Sequence, residues 1–159
     1  RMIKNMRMEK ILTKLALLAL VMVALASCNT TAKVAFKEAN NYFTRNDYAK
    51  TGVVKIVSQE EFDGAFGMAT AMGKNGRPTP IDFNKEFVVA KLFAETDVDT
   101  RIDKITLSKI GKNKLKLDYR QTDGDRMSYT IKPCFILIVD NKYRNCEIVD
   151  GGKSVSVEL

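Results

Sequence analysis

Hydrophobic and polar residues alternate over much of this chain, which is the pattern of half-buried β-strands. A β-branched run at Gly52–Val57 predicts a first strand, and the apolar run Phe87–Phe93 predicts a buried one. Turn signals at Gly111-Lys112-Asn113, Asp123-Gly124 and Gly151-Gly152 divide the rest of the chain into further strands. These are Ile102–Ile110, Leu115–Tyr119, Met127–Ile131, Phe135–Val139, Tyr143–Val149 and Ser154–Leu159.

A helix is predicted between the first two strands. Ser58 and Glu61 have the spacing of a capping box, in which the Ser58 hydroxyl accepts from the Glu61 amide and the Glu61 carboxylate returns to the Ser58 amide. Phe62 and Phe66 then continue one apolar face. The glycine after Phe66 costs about 1 kcal/mol relative to alanine. The helix is therefore predicted through Phe66, and its extension to Met72 carries that cost.

The predicted fold class is α+β, with one helix packed on a curved antiparallel meander of five to six strands. Residues 51–159 are predicted to form this single domain. Residues 28–50 are predicted to be a polar tether and a lead-in whose helical character at 34–48 is ambiguous. Phe36 and Phe43 suggest a helical face there, but the asparagines among them weaken it.

An apolar run, Leu15–Ala26, follows a basic stretch and ends at Ser27-Cys28. The run is shorter than the roughly 20 residues that span a bilayer, and it is typical of a secretory signal peptide. Its Leu-Ala-Ser-Cys end resembles the lipobox of bacterial lipoproteins. That resemblance implies cleavage before Cys28 and a lipid on its thiol, which would hold the protein at the membrane.

The predicted signal peptide, a cleaved signal helix, is therefore residues 1–27. Met8 starts a signal of typical length, so residues 1–7 are interpreted as upstream sequence that is not translated. The residues directly after Cys28 contain no acidic side chain, unlike some surface-export signals of Gram-negative lipoproteins. The predicted location is thus the cell envelope, at the outer membrane and facing the periplasm.

Removal of the signal lowers the net charge of the chain. The whole sequence carries +7, residues 1–27 hold five basic residues and one acidic residue, and residues 28–159 therefore carry +3. This modest value argues against nucleic acid as a partner. Basic residues still cluster on one strand and its neighbours, at Lys104, Lys109, Lys112, Lys114, Lys116 and Arg120. A solvated strand face is the first interpretation, and an acidic partner or anionic lipid headgroups are the alternative.

The sequence contains no histidine, which excludes Ser-His-Asp and Cys-His machinery and nearly all histidine-containing zinc sites. It also lacks the Walker, GxGxxG and GxSxG motifs. We therefore predict no catalytic residue, no cofactor and no metal site. Cys134 and Cys146 fall on opposite faces of a predicted hairpin between Cys134–Val139 and Tyr143–Val149, so they are predicted to be free thiols.

Two stretches resemble one known family. They are Ile81-Asp82-Phe83 before the Phe87-Val88-Val89 strand, and the run Tyr129–Val139 with its Thr-x-x-Pro-aromatic pattern. The family is the C-terminal domain of PrcB-type protease-complex subunits, which are exported bacterial lipoproteins, and the resemblance spans roughly 53–149. It implies non-catalytic association with a protease, as a stabiliser, an assembly factor or an inhibitor.

Three functions fit these observations. The first is a non-catalytic module that binds another envelope protein, with a protease as one candidate, through loops at Glu95–Thr100 and Thr122–Arg126. Its candidate binding residues are Glu95, Asp97, Asp99, Asp123, Asp125 and Arg126. The second is a small-ligand binder with a pocket between helix and sheet, lined by Phe62, Phe66 and Met72. The third is a hydrolase with two carboxylates, which needs one strongly raised carboxyl pKa.

Overall fold

The computed structural model describes residues 31–70, 72–73 and 75–156, and for residues 154–156 only the backbone. The predicted signal peptide, Cys28 and the last three residues lie outside the described residues. The compact unit of the chain begins at Thr31. Within the described ranges, no helix has the length and apolar character that a membrane crossing requires.

The predicted fold class is wrong, because strands make up 57% and helices 8% of the structure, and the strands form three sheets. The described residues contain one α-helix, α1 (Gln59–Ala65), and a 3₁₀ turn at Asn141–Tyr143. The strands are β1 (Thr31–Lys33), β2 (Phe36–Glu38), β3 (Tyr42–Thr44), β4 (Gly52–Ile56), β5 (Phe66–Met68), β6 (Glu86–Leu92), β7 (Thr96–Ile110), β8 (Lys114–Ile131), β9 (Cys134–Asp140), β10 (Glu147–Asp150) and β11 (Lys153–Ser156).

Sheet A has the strand order β1-β7-β8-β10, with β11 also paired to β8. Sheet B has the order β2-β9-β6-β4, and sheet C consists of β3 and β5. All described strand pairs are antiparallel except β10 and β11, which run parallel to β8. The chain is thus not a meander, since its last two strands both cross back to a strand far earlier in the sequence.

One long hairpin organises both large sheets. The half away from the turn, which we call the base half, pairs β6 with β9 in sheet B. The half that ends at the turn, which we call the turn half, pairs β7 with β8 in sheet A. The predicted turn Gly111-Lys112-Asn113 closes it, and Gly111 takes the left-handed φ of 60° that such a turn favours. The hairpin folds between its two halves, so its turn half packs over its base half.

Burial of apolar side chains explains why the two halves of the hairpin pack on each other. Between the sheets, Phe87 and Leu137 of sheet B pack with Leu107, Leu115 and Leu117 of sheet A, all of them buried. The other face of sheet B carries a second apolar cluster, which α1 covers. Sheet B is therefore the middle layer of three, and the continuous apolar run at β6 is confirmed as a buried strand.

Helix α1 is shorter than predicted. It ends at Ala65, and the chain turns at once into β5, so the predicted extension to Met72 is wrong. A Cβ on Gly67 would overlap the ring of Phe43, which lies against this glycine in sheet C. Gly67 is therefore a packing position in a strand, and the ambiguous segment 34–48 supplies β2 and β3.

The helix start is close to the prediction. The Ser58 hydroxyl accepts from the Glu61 amide at 3.2 Å, as predicted. The Glu61 carboxylate, however, accepts from the Val57 amide at 3.0 Å and not from the Ser58 amide. The cap therefore ties the helix to the end of β4.

Two predictions near the C-terminus are wrong. The segment Asp123-Gly124 is not a turn, because β8 continues through it as a bulged strand. The predicted hairpin between β9 and the following strand is absent from the described residues, since β10 pairs with β8 instead. Cys134 and Cys146 are free thiols, as predicted, but they are separated because they belong to the clusters on the two faces of sheet B.

Candidate partner-binding site

The two segments predicted as separate recognition loops are neighbouring parts of one β-ribbon. Val98 pairs with Arg126, Thr100 with Asp123, and Arg101 with Thr122. We call residues 95–103 together with residues 120–126 the acidic ribbon. It contains six acidic and three basic side chains, namely Glu95, Asp97, Asp99, Asp103, Asp123, Asp125, Arg101, Arg120 and Arg126.

Bulges shape the acidic ribbon. Between the pairs Thr96–Ile131 and Val98–Arg126, β7 advances by two residues while β8 advances by five. The register shifts again before Thr100 and after Asp103. Lys104, in the last of these irregularities, has a left-handed φ of 53°. Such bulges twist a ribbon and redirect its side chains, and they are common beside functional sites.

Ion pairs neutralise part of the acidic ribbon. Arg120 donates to both carboxylate oxygens of Asp103, at 2.8 and 2.6 Å, and this hydrogen bonding lowers the pKa of the Asp103 carboxyl. Arg126 donates to Asp97 at 2.8 Å. Both pairs are open to solvent, so neither is a strong source of stability. Their main effect is to fix the side chains that they join.

Other carboxylates of the acidic ribbon have no cationic partner among the described residues. Asp99 and Asp125 are exposed and form no ion pair there. Asp123 accepts from Gln121 at 2.9 Å, and Glu95 accepts from the Thr130 hydroxyl at 2.5 Å. The surface that the ribbon presents to solvent is therefore net negative.

Among the described residues, no strand pairs with the outer edge of β7 over most of the ribbon. Strand β1 pairs only with Ser108–Ile110, so in the described chain β7 pairs from Thr96 to Thr106 with β8 alone. Two threonine hydroxyls form hydrogen bonds with the backbone of Val98. Thr96 Oγ1 accepts from the Val98 amide, and Thr100 Oγ1 donates to the Val98 carbonyl, each at 3.1 Å.

Glu95 lies between two open grooves at the base of the ribbon. One groove, of about 340 Å³, is lined by residues of both ribbon strands and by Pro133. The other, of about 580 Å³, is lined by Phe43, Thr130 and Lys132 among others. Phe43, which lines the second groove, is 48% exposed. Sequence reasoning missed this groove, because it assigned Phe43 to a segment of ambiguous character.

A cluster of four side chains fixes the base of the ribbon to the sandwich. Lys91 Nζ donates to Asp150 at 2.7 Å and lies over the rings of Phe93 and Tyr119, 5.3 and 5.9 Å from their centroids. Burial disfavours the charged form of Lys91, but hydrogen bonds with Asp150 and Tyr119 outweigh it and raise the pKa of Lys91. Burial likewise opposes ionisation of Asp150, yet the bond from Lys91 outweighs it and lowers the pKa of Asp150.

The residues of the predicted ligand pocket are not brought together. Phe62 and Phe66 are buried in the core, with the Phe62 ring 5.0 Å from those of Phe66 and Tyr42. Met72 is fully exposed. Packed neighbours therefore surround Phe62 and Phe66, and the open groove of about 410 Å³ between α1 and β4 is lined by other residues, among them Val54, Ile56 and Glu61.

Among the described residues, the carboxyl groups whose pKa values shift clearly do not shift in the direction that an acid catalyst needs. The carboxyl pKa values that shift clearly, those of Asp47, Asp103 and Asp150, all move downward. A general acid in a two-carboxylate hydrolase needs the opposite shift. Among the described residues, no group of three or more cysteine or carboxylate side chains could hold a metal ion.

Comparisons with protein-family models, with curated proteins and with solved structures found no match to this chain. The resemblance to PrcB-type subunits stays a prediction that rests on the two sequence stretches quoted for it.

Proposed function

We propose that this protein is a lipid-anchored cell-envelope protein that binds another envelope protein through the acidic ribbon, without catalysing a reaction. The observation that carries the proposal is the pairing of the two acidic segments in one exposed ribbon. Each segment alone is explained by ordinary turn chemistry, but that explanation fails for residues inside paired strands.

The charge of the ribbon specifies the partner surface. Because Asp99 and Asp125 are exposed and form no ion pair in the described chain, a partner with basic side chains would gain both attraction and orientation. The groove beside Glu95 and Pro133 can take a side chain of such a partner. The resemblance to protease-complex subunits makes an envelope protease the first partner to test.

The proposed anchor rests on the resemblance of the residues before Cys28 to a lipobox. The lipid on Cys28 would keep the domain at the membrane, at the periplasmic side of the outer membrane in our proposal. Mass spectrometry of the mature N-terminus tests this directly, because acylation adds a defined mass to a peptide that begins at Cys28. An N-terminus that retains residues 8–27, or an unmodified cysteine, would contradict the anchor.

Partner binding is tested with two matched variants. Asp99→Asn/Asp125→Asn removes two negative charges from the acidic ribbon, whereas Glu38→Gln/Glu60→Gln removes two from exposed positions elsewhere. We expect crosslinking in intact cells to recover the same partner with wild type and with the Glu38/Glu60 variant, and much less of it with the ribbon variant. The purified partner should then bind with an affinity that falls as salt rises. Equal recovery with both variants would contradict the proposed surface.

A further inference from the structure

The described chain enters the domain at the turn end of the long hairpin. Thr31 pairs with Ile110, directly before the turn Gly111-Lys112-Asn113. Cys28 precedes Thr31 by three residues, and three residues span at most about 11 Å. A lipid on Cys28 would therefore hold this end of the domain close to the membrane surface.

Lysines cluster at the same end. In the strand register, Ser108 lies between Lys33 on one side and Lys116 on the other. Lys114 lies opposite Ile110, two residues nearer the turn. With the turn they form what we call the turn-end patch: Lys33, Lys112, Lys114 and Lys116, whereas Lys109, opposite the buried Leu115, lies on the other face of the strands. Lys33, Lys112 and Lys114 are exposed, and Lys116 is half-buried.

Carboxylates only partly offset this charge. Glu147 lies 3.7 Å from Lys114, and Asp118 lies 3.3 Å from Lys116. Both ion pairs are exposed, so the lysines can exchange these partners for others at little cost. The turn-end patch is thus net positive, whereas the acidic ribbon, further along the same two strands, is net negative.

We propose that the turn-end patch rests on the anionic headgroups of the bilayer that holds the lipid, with the acidic ribbon directed away from it. This inference rests on the lipid anchor of the proposed function. Two charge interactions favour this orientation. The anionic surface attracts the lysines of the turn-end patch, and it repels the carboxylates of the acidic ribbon. The strand segment from Arg101 to Ile110 is roughly 30 Å long at about 3.3 Å per residue, which separates the ribbon from the surface.

The expected strength is moderate. A lysine near an anionic surface changes the equilibrium for surface contact about fivefold. Three exposed lysines would thus change it on the order of 100-fold. The two or more acyl chains that the lipobox resemblance implies already anchor the protein firmly, so the basic patch would set the orientation of the domain and not its attachment.

The sequence contains no tryptophan, so one introduced tryptophan reports on its own surroundings. Asn113→Trp marks the exposed turn, and Ser128→Trp marks an exposed position beyond the acidic ribbon. The acylated full-length product is placed on vesicles with brominated lipid chains, made of phosphatidylcholine with or without phosphatidylglycerol. We expect quenching of Asn113→Trp to increase with phosphatidylglycerol and to decrease in high salt, while Ser128→Trp stays unquenched.

Two triple variants identify the residues responsible. Lys33→Gln/Lys112→Gln/Lys114→Gln should abolish the effect of phosphatidylglycerol on Asn113→Trp. The control Lys50→Gln/Lys104→Gln/Lys153→Gln removes the same charge from exposed positions outside the patch and should leave it unchanged. Equal quenching at the two tryptophans, or no effect of phosphatidylglycerol, would overturn the inference while an acylated Cys28 left the anchor standing. An unmodified Cys28 would overturn both.

Discussion

The Lys91–Asp150 pair predicts which of two substitutions, Asp150→Asn or Lys91→Met, destabilises the protein more. Asp150→Asn removes the carboxylate 2.7 Å from an ammonium whose side chain is only 14% exposed. Breaking a fully buried pair costs about 3–5 kcal/mol, and an exposed pair contributes about 0–1 kcal/mol. Because Asp150 itself is 36% exposed, we expect a cost of about 1–2 kcal/mol in the free energy of unfolding.

Lys91→Met should cost less than Asp150→Asn. The methionine keeps much of the apolar stem that packs on Phe93 and Tyr119. The Asp150 carboxylate that remains is partly hydrated and still accepts from the Gly152 amide at 3.0 Å. We expect a loss below about 1 kcal/mol, since no charge is then left buried without a partner.

The pH dependence tests the mechanism. Because the folded-state pKa of Asp150 is lowered, its contribution is present above the unfolded-state pKa and is lost as pH falls through the folded-state value. Urea unfolding followed by circular dichroism should therefore show a gap between wild type and Asp150→Asn at neutral pH that closes in acid. Equal costs for the two substitutions, or a gap that persists in acid, would refute the reasoning.

Three further predictions concern the ribbon and its base. Gly152→Ala should lower the free energy of unfolding by about 1–3 kcal/mol in urea unfolding, because a Cβ there overlaps the Tyr119 ring; an unchanged midpoint would contradict this. Arg120→Gln should raise the pKa of Asp103 toward its ordinary value in a carboxyl NMR titration, because Arg120 supplies the hydrogen bonds that lower it; an unshifted titration would exclude this cause. Amide hydrogen exchange should be much faster in the acidic ribbon than in β6, because no ribbon residue is buried; similar protection in both would show that the ribbon has stability of its own.

Local pattern was sufficient for several elements. The apolar run of β6, the cap at Ser58 and the turn at Gly111 were all predicted at or near their positions. Each depends on residues close together in the chain, where periodicity and turn chemistry act directly. The free state of Cys134 and Cys146 was also predicted, although the hairpin used to argue it does not exist.

Pairing partners were not predictable in the same way. A period of two residues indicates a strand but does not say which strand lies beside it, so the parallel pairing of β10 with β8 left no local signal. Asp123-Gly124 has turn chemistry, yet a bulge also accommodates it, and cross-strand pairing with Thr100 decided the outcome. Helix α1 ended early because packing of Phe43 on Gly67 requires a strand there.

The acidic composition of two segments identified the candidate site, but their secondary structure was predicted wrongly. Acidic residues drew attention to Glu95–Thr100 and Thr122–Arg126, and both segments were predicted to be loops because Asp and Gly are common in turns. Their pairing depends on a hairpin whose turn is at Gly111, so it could not be read from either segment alone. The groove at Phe43 was missed because its walls come from three distant parts of the chain.

The part of the hairpin that contains no buried residue is the strongest reason to propose that the acidic ribbon binds a partner. Buried residues on β7 begin at Leu107, and those on β8 end at Leu117, so the turn half already covers sheet B. From Thr96 to Thr106 and from Arg120 to Ile131 the two strands bury no residue. Strand β11 adds a third strand beside Arg120–Asp123, but strands that bury no residue gain little stability in water, and ordering their backbone costs conformational entropy. Because the buried residues of the core lie outside this extension, a partner that covers it, as we propose, would supply the burial that it lacks.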